Sequence, residues 1–449
     1  MGRKSILLII PWLPYPLKSG GHQALFNGIK VIKDNFDIYV AFEVFDDEKY
    51  MEEEKNFLEI IPNVHLLPFF KKRSISLPKY PLWYRSISNL KTKILDWILK
   101  GNEVSEIKSC NEILMCSDWV GCVSPLSKSW IEHVSRICKK HQFDIIQVEM
   151  PWLISQILTL PNGPTKIFVH HELGFVKREL EKAQFPESEY VKACKLYADF
   201  VEIGLLNMYD AVITLSSVDK QKLIEHGVKI PVFDSFAIVD NSKGLVSEEV
   251  DGTHLSFVGG GGHSPNVAGI SWFLDNCWTL LKAKNNNYRL SIIGEWDDEM
   301  VAKYMSKYPG VEFLGFVDKL AEHLKGTVMI VPITIGSGIR MKVLEACSLG
   351  VPFISTSIGV EGIPVVDGEN CFIADTIDQF VDKLFRLNDS CIQKKFVKNA
   401  HAMVKRLYSE VALHENRMGI YENLLRNDRS SGFCFSSPSA NGNPVHGGQ

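Results

Sequence analysis

Residues 327–363 read TVMIVPITIGSGIRMKVLEACSLGVPFISTSIGVEGI. The apolar run Val328 to Val331 stops at Pro332, the pattern of a strand buried inside a parallel sheet. Gly336, Ser337 and Gly338 then frame a loop, and apolar residues at helical spacing predict a helix that starts near Ile339 and ends at Gly350. Strand, loop and helix in this order make an anion seat. The first N–H groups of a helix have no partners within it, and glycines let a phosphate come close to them. Arg340 and Lys342 add two cations, and Glu345, three residues past Lys342, falls on roughly the same helical face. A carboxylate there can accept hydrogen bonds from a vicinal diol such as a ribose. Diphosphate beside diol describes a nucleotide.

The run GSGIRMKVLEACSLGVPFISTSIGVEGI, residues 336–363, resembles the donor-binding segment of family 4 glycosyltransferases, retaining group 1 enzymes of GT-B architecture. The resemblance extends over about residues 5–425 and is firm from Leu255 onward. It implies an α/β fold of two Rossmann-like parallel-sheet domains that face each other across a cleft, with a final helix crossing back to the first domain. It also implies a nucleotide-sugar donor.

The chain has 449 residues, of which 45% are hydrophobic. That length suits two domains and a large core. A formal net charge of −4 and a pI near 6.4 provide no global attraction to nucleic acid, so none is expected as a partner. The 10 cysteines are scattered without C-x-x-C spacing, which fits reduced thiols in a cytosol better than disulfides or zinc. The apolar start from Ile6 to Leu13 is broken by Pro11, Pro14 and Pro16 and lacks a small-residue cleavage site, so it reads as a buried first strand. No apolar run reaches the ~18 residues of a membrane span. A cytoplasmic protein is expected, with docking at the inner face of the membrane left open.

Residues 1–240 are expected to form the acceptor-binding domain. Strand Ser5–Ile10 leads through Ser19-Gly20-Gly21-His22 into a helix through Leu25, Ile29 and Ile32. A lone glycine pair can be no more than a tight turn; the resemblance implies that Gly20 and Gly21 lie against the donor phosphates and the acceptor pocket. Further strands are read at 37–43, 64–67, 144–149, 166–169, 211–214 and 232–234, and Asp46–Glu54 as an acidic, solvated helix face. Between about residues 69 and 100 an insertion carries eight basic residues from Lys71 to Lys100 against Asp96 alone, interleaved with Phe69, Phe70, Tyr80, Trp83, Tyr84 and Trp97. Such a stretch can lie on an anionic bilayer or pack on its own domain as a solvated excursion. His170, at the end of the 166–169 strand, can exchange hydrogen bonds with a sugar hydroxyl, and the resemblance puts it near donor sugar and acceptor; His171 is the alternative.

A polar stretch at 238–252 suits a hinge, and residues 252–405 are expected to form the nucleotide-sugar-binding domain. Strand Leu255–Val258 runs into Gly259, Gly260, Gly261, Gly262 and His263, and Ser264 is read as the cap of a helix with Pro265 in its first turn. A glycine run between strand and helix suits a phosphate, with His263 as an added contact, and can equally be no more than a loop. Similar enzymes add an Arg and a Lys here and this chain has neither, so the charge falls to Arg340 and Lys342. After strand Arg289–Ile293, the FLGFV turn around Phe316 resembles the place where the nucleobase is held; an edge strand with a glycine turn has the same letters. Glu361 closes a loop after strand Phe353–Ser355. Residues 406–428 are read as the returning helix, and 429–449, rich in Ser, Gly, Pro and Asn, as a disordered tail.

Sugar transfer leaves negative charge on the diphosphate, and stabilising it is the main electrostatic task. No Asp-x-Asp motif suits a divalent ion, and Asp297-Asp298 reads as helix capping, so neither metal nor other cofactor is expected. Arg340 and Lys342 with the helix start take the ion's place, and with His170 they are the catalytic candidates. Donor-binding candidates are Gly20, Gly21, Gly259, Gly260, His263, Phe316, Ser337, Gly338, Glu345 and Glu361. Similar enzymes usually show Glu-x7-Glu; here Ser337 holds the first position and Glu345 the second. The leading function is metal-independent, retaining transfer to a glycan or lipid-linked acceptor. A nucleotide-sugar epimerase and a non-catalytic saccharide-binding protein are the alternatives.

Overall fold

Continuous apolar runs build two all-parallel sheets. The first holds β1 (Lys4–Trp12), β2 (Phe36–Val44), β3 (Val64–Phe70), β4 (Ile145–Glu149), β5 (Thr165–His170), β6 (Ala211–Thr214) and β7 (Val232–Asp234), in the order β3-β2-β1-β4-β5-β6-β7. The second holds β8 (His254–Val258), β9 (Arg289–Ile293), β10 (Val311–Gly315), β11 (Val328–Val331), β12 (Phe353–Ser355) and β13 (Phe372–Ile373), in the order β10-β9-β8-β11-β12-β13. The computed structural model describes residues 3–71, 126–182, 189–237, 239, 245 and 249–426. The expected insertion beyond Lys71, most of the polar hinge and the 429–449 tail lie outside them. Among the described residues no helix is long and apolar enough to cross a membrane.

Each sheet reverses its strand order once, between β1 and β4 and between β8 and β11, and ligands of open parallel sheets bind beyond the carboxyl ends of strands at such switch points. That rule selects the turns after β1, β4, β8 and β11. Apolar side chains cover both faces of each sheet: Ile6, Leu8 and Ile10 of β1 point into one core of the first domain, Leu7 and Ile9 into the other. The second domain has its own core, which Ala237 and Val239 have already joined, so the chain crosses over before residue 240.

Several local expectations need correction. Strand β1 runs through Pro11 to Trp12 because its register with β2 shifts between Ile9 and Trp12, and the irregularity accommodates a residue without an N–H. Gly20 and Gly21 are the first turn of the helix Gly20–Ile32, capped by the Ser19 hydroxyl, and not a loop before it. His263 is the N-cap of the helix Ser264–Phe273, which puts Ser264 and Pro265 inside its first turn. The returning helix, expected over residues 406–428, spans Glu410–Leu425 with Ser409 as its cap, and residues 406 and 407 end a separate helix, Ser390–Leu407.

That last helix returns to the first domain. Leu413, Ile420 and Tyr421 are buried among the side chains of β1 and β2, Lys30 pairs with Glu410 at 2.9 Å, and Arg417 donates to Ser235 at 3.0 Å. Of the basic insertion, Phe69 and Phe70 belong to β3, and Lys71 pairs with Glu43 at 3.5 Å.

Candidate functional site

The loop after β11 leads to a helix that begins at Met341, two residues later than its apolar spacing suggested, with Arg340 as N-cap and no side chain capping the first turn. Met341 to Leu349 bury one face in the second core, and Gly350, in the left-handed region at φ 72°, ends the helix. The first-turn N–H groups thus have no side-chain acceptor, and that of Val343 bonds the Arg340 carbonyl at 2.9 Å.

Arg340 turns back on its own loop. Its Nη1 donates to the carbonyls of Ser337 and Gly338, and its Nη2 is buried with no hydrogen-bond partner. Lys342 Nζ donates to Asn266 Oδ1 at 2.8 Å and lies 4.3 Å from the centre of the Phe257 ring. That apolar floor, with the charge of Arg340 adding to it and Glu345 opposing, pushes the ammonium down to about 7. Burial likewise lowers Arg340. Two desolvated cations beside an uncapped helix start can receive an anion.

The first domain closes on this helix. Gln23 Nε2 donates to Glu345 Oε1 at 2.8 Å, and a Cβ on Gly20 would sit 2.8 Å from Met341 Cγ. Ser337 Oγ accepts from the Leu173 N–H at 2.9 Å and donates to the Leu173 carbonyl at 3.3 Å. Ser337 therefore bridges the domains with both of its hydrogen-bonding functions engaged, rather than facing a donor sugar. Gly338, at φ 79°, lies so close to the His171 carbonyl that any Cβ would collide with it. Lys222 of the first domain pairs with Glu361 at 2.5 Å, and His263 faces Glu172 across the crevice at 3.9 Å.

The two strand-end histidines part company. The His170 side chain is 0% exposed, with Nε2 3.0 Å from Glu202 Oε1, and that carboxylate is also held by Arg178 and by the Gly174 N–H. It is a core group, not the cleft residue expected. His171, also buried, has Nε2 2.8 Å from Glu149 Oε2. With the proton on Nε2 that nitrogen donates to Glu149, and Nδ1 is left as an acceptor.

Protein atoms fill the space before Gly259, Gly260 and Gly261, while Gly262 faces open space. A Cβ on Gly259 would meet the Asn266 side chain at 2.6 Å, and one on Gly260 the Glu295 carbonyl at 3.0 Å. These residues let β8, β9 and the following helix converge, a packing demand that the sequence cannot distinguish from a phosphate's. Phe316, 49% exposed, follows edge strand β10 on the same side of the sheet. Asp297 caps the helix Asp298–Lys307 by accepting from the Glu299 and Met300 N–H groups. Gln23, Asn266, Glu149 and Glu172 complete the site without having been singled out. Only Glu172, in the His-His-Glu run at a strand end, carried a local signal.

Residues 252–390 match the family model described as glycosyl transferases group 1. No curated protein matches the chain by sequence. Among solved structures it is similar to TarM (TM-score 0.67, 13% identity, covering 94% of this chain and 99% of that one). It is also similar to sucrose-phosphate synthase from Thermosynechococcus elongatus (TM-score 0.64, 14% identity, 94% and 100%). HepE from Anabaena, solved in complex with UDP, gives a TM-score of 0.61 at 12% identity, with 93% and 100% covered. The shared feature is the GT-B fold.

Proposed function

We infer that this group 1 glycosyl transferase of GT-B fold moves a sugar from a nucleotide-sugar donor to a saccharide or lipid-linked acceptor, without a divalent ion and with retention of anomeric configuration. One observation carries the reading. Arg340 and Lys342 lie at one uncapped helix start, and Glu345 of the same helix faces the first turn of the helix Gly20–Ile32 in the opposite domain. In the reaction the bond between the anomeric carbon and the phosphate oxygen breaks and its electron pair stays on the diphosphate. The acceptor oxygen bonds to that carbon, and its proton passes to the diphosphate oxygen that the carbon has released. Lys342, Arg340 and the helix N–H groups meet the charge on the departing diphosphate, and Glu345 accepts from the ribose hydroxyls. His171, held by Glu149, presents Nδ1 to a sugar hydroxyl.

The nucleotide is supported by relatives: HepE is solved with UDP and with UDP-glucose, and a variant of S. aureus TarM with UDP and α-GlcNAc-glycerol. The test is a screen of nucleotide sugars for thermal stabilisation and for hydrolysis, with and without EDTA. At least one is expected to stabilise the chain and to be turned over at an unchanged rate under EDTA, while Lys342→Ala and Glu345→Ala abolish turnover and keep the fold. No nucleotide diphosphate binding by calorimetry would point to a saccharide-binding protein. Product from donor alone, with no glycoside formed, would point to an epimerase.

A further inference from the structure

Asn266, in the first turn of the helix Ser264–Phe273, is buried, and its side-chain amide is held at both ends. Oδ1 accepts from Lys342 Nζ at 2.8 Å, and Nδ2 donates to the Gly260 carbonyl at 2.9 Å. An ammonium only donates and a carbonyl only accepts, so the two contacts permit a single orientation of the amide. Room for it comes from Gly259, where a Cβ would stand 2.6 Å from Nδ2. One side chain thus ties the glycine loop after β8 to the helix Met341–Leu349.

The chemistry of that acceptor matters more than its presence. The Lys342 ammonium sits over the face of the Phe257 ring, and the charged or titratable groups that face it are Arg340 and Glu345 of its own helix and His263, the N-cap of the helix that carries Asn266. A carboxylate at position 266 would pair with the ammonium and cancel its charge before any anion arrived. An amide oxygen fixes the nitrogen in space and carries no charge of its own. The cation is held and yet left for a ligand.

We propose that Asn266 is a positioning residue, which sets the Lys342 ammonium at the uncapped helix start and leaves its charge to the diphosphate. The proposal rests on the transfer reading above, in which Lys342 meets that charge. Its test is calorimetry with UDP, ADP and GDP from pH ~6 to ~9, with a thermal melt of each protein, on wild type, Asn266→Ala, Asn266→Asp, Lys342→Met and the double variant Asn266→Ala/Lys342→Met. For the diphosphate that wild type binds most tightly, Asn266→Ala is expected to weaken binding ~10-fold (~1.4 kcal/mol), but by no more than ~2-fold (~0.4 kcal/mol) once Lys342 is already Met, because Asn266 acts through it. Wild-type affinity falls as pH rises through the Lys342 ionisation at about 7. Asn266→Ala takes an acceptor from the charged form, so that midpoint moves to lower pH. Asn266→Asp sets a carboxylate beside the ammonium, so the midpoint moves to higher pH while binding at pH ~6 weakens ~10-fold. Asn266→Asp keeps the shape of the side chain and carries the test by itself if the alanine variant does not fold. A residue that merely packs the glycine loop would lower Tm and move neither midpoint. That result, an equal loss from Asn266→Ala with and without Lys342, or an Asn266→Asp variant that binds as wild type does would overturn the proposal. Wild type that binds none of the three diphosphates at any pH would instead defeat the transfer reading.

Discussion

The side-chain amide of Gln23 donates to the carboxylate of Glu345 across the crevice at 2.8 Å, joining residues 322 positions apart. Glu345 is the proposed ribose contact, so its orientation is set by the opposite domain before any diol arrives. Gln23→Ala removes that support. A hydrogen bond to a charged group is worth ~1.5–3 kcal/mol, which puts the expected loss in donor affinity at ~10-fold. Because Gln23 acts through Glu345, steady-state kinetics should show a raised KM and a kcat within about twofold (~0.4 kcal/mol) of wild type. A fall in kcat alone would mean that Gln23 touches the reacting groups.

Lys342 ties stability and binding to pH in opposite senses. Burial over Phe257 and the nearby Arg340 lower its pKa to about 7 from an ordinary 10.5. Between those values the unfolded chain binds the proton and the folded chain does not, so the folded state gains stability as pH rises through that window. The penalty is fully present below pH ~7, where the folded chain must hold a desolvated charge. Diphosphate binding needs that charge, so UDP affinity should fall as pH rises above ~7. Lys342→Met should raise Tm at pH ~6, bind UDP weakly and lose the pH dependence. Calorimetry and thermal melts from pH ~6 to ~9 check both halves.

Gly338→Ala tests the closed arrangement of the domains. The residue has φ 79° and abuts the His171 carbonyl, so a methyl group brings ~1–2 kcal/mol of backbone strain and pushes the domains apart. Misplacement by ~1 Å can lower a rate ~100-fold, and a loss of transfer of that order is expected. If the second domain holds the nucleotide as proposed, UDP should bind within ~2-fold (~0.4 kcal/mol) of wild type. Equal loss of UDP binding would place the strain in the phosphate seat itself.

The sheets were legible because buried parallel strands are continuous apolar runs, and the loop after β11 because Pro332, Gly336 and Gly338 punctuate it. What escaped depends on the two domains meeting. Nothing near Gln23 announces a partner 322 residues away. Adjacent residues at a strand end take opposite sides, so His170 and His171 could not be told apart without knowing that the helix Glu189–Leu206 brings Glu202 over the first. Ser337 looked like a missing donor contact, and its true partner, the Leu173 backbone, has no sequence signature. The glycines after β8 satisfy converging strands with the letters that would satisfy a phosphate.

Tyr421 shows how the returning helix reaches the crevice. Its hydroxyl donates to Gln147 Oε1 at 2.6 Å, Gln147 Nε2 donates to Glu149 Oε1 at 2.6 Å, and Glu149 Oε2 lies 2.8 Å from His171 Nε2. Tyr421 and Gln147 are both buried, so Tyr421→Phe keeps the packing and leaves a buried carbonyl oxygen unpaired. That costs ~1–3 kcal/mol, and each kcal/mol lowers the Tm of a domain this size by ~2–4 °C. If the chain only braces the fold, Tm falls and kcat does not. If it orients His171, kcat for transfer falls as well, UDP affinity is kept, and Glu149→Gln reproduces the loss because the ring then lacks the carboxylate that fixes its protonated nitrogen. Unchanged kcat in both variants, measured well below their melting temperatures, would remove His171 from the proposed chemistry.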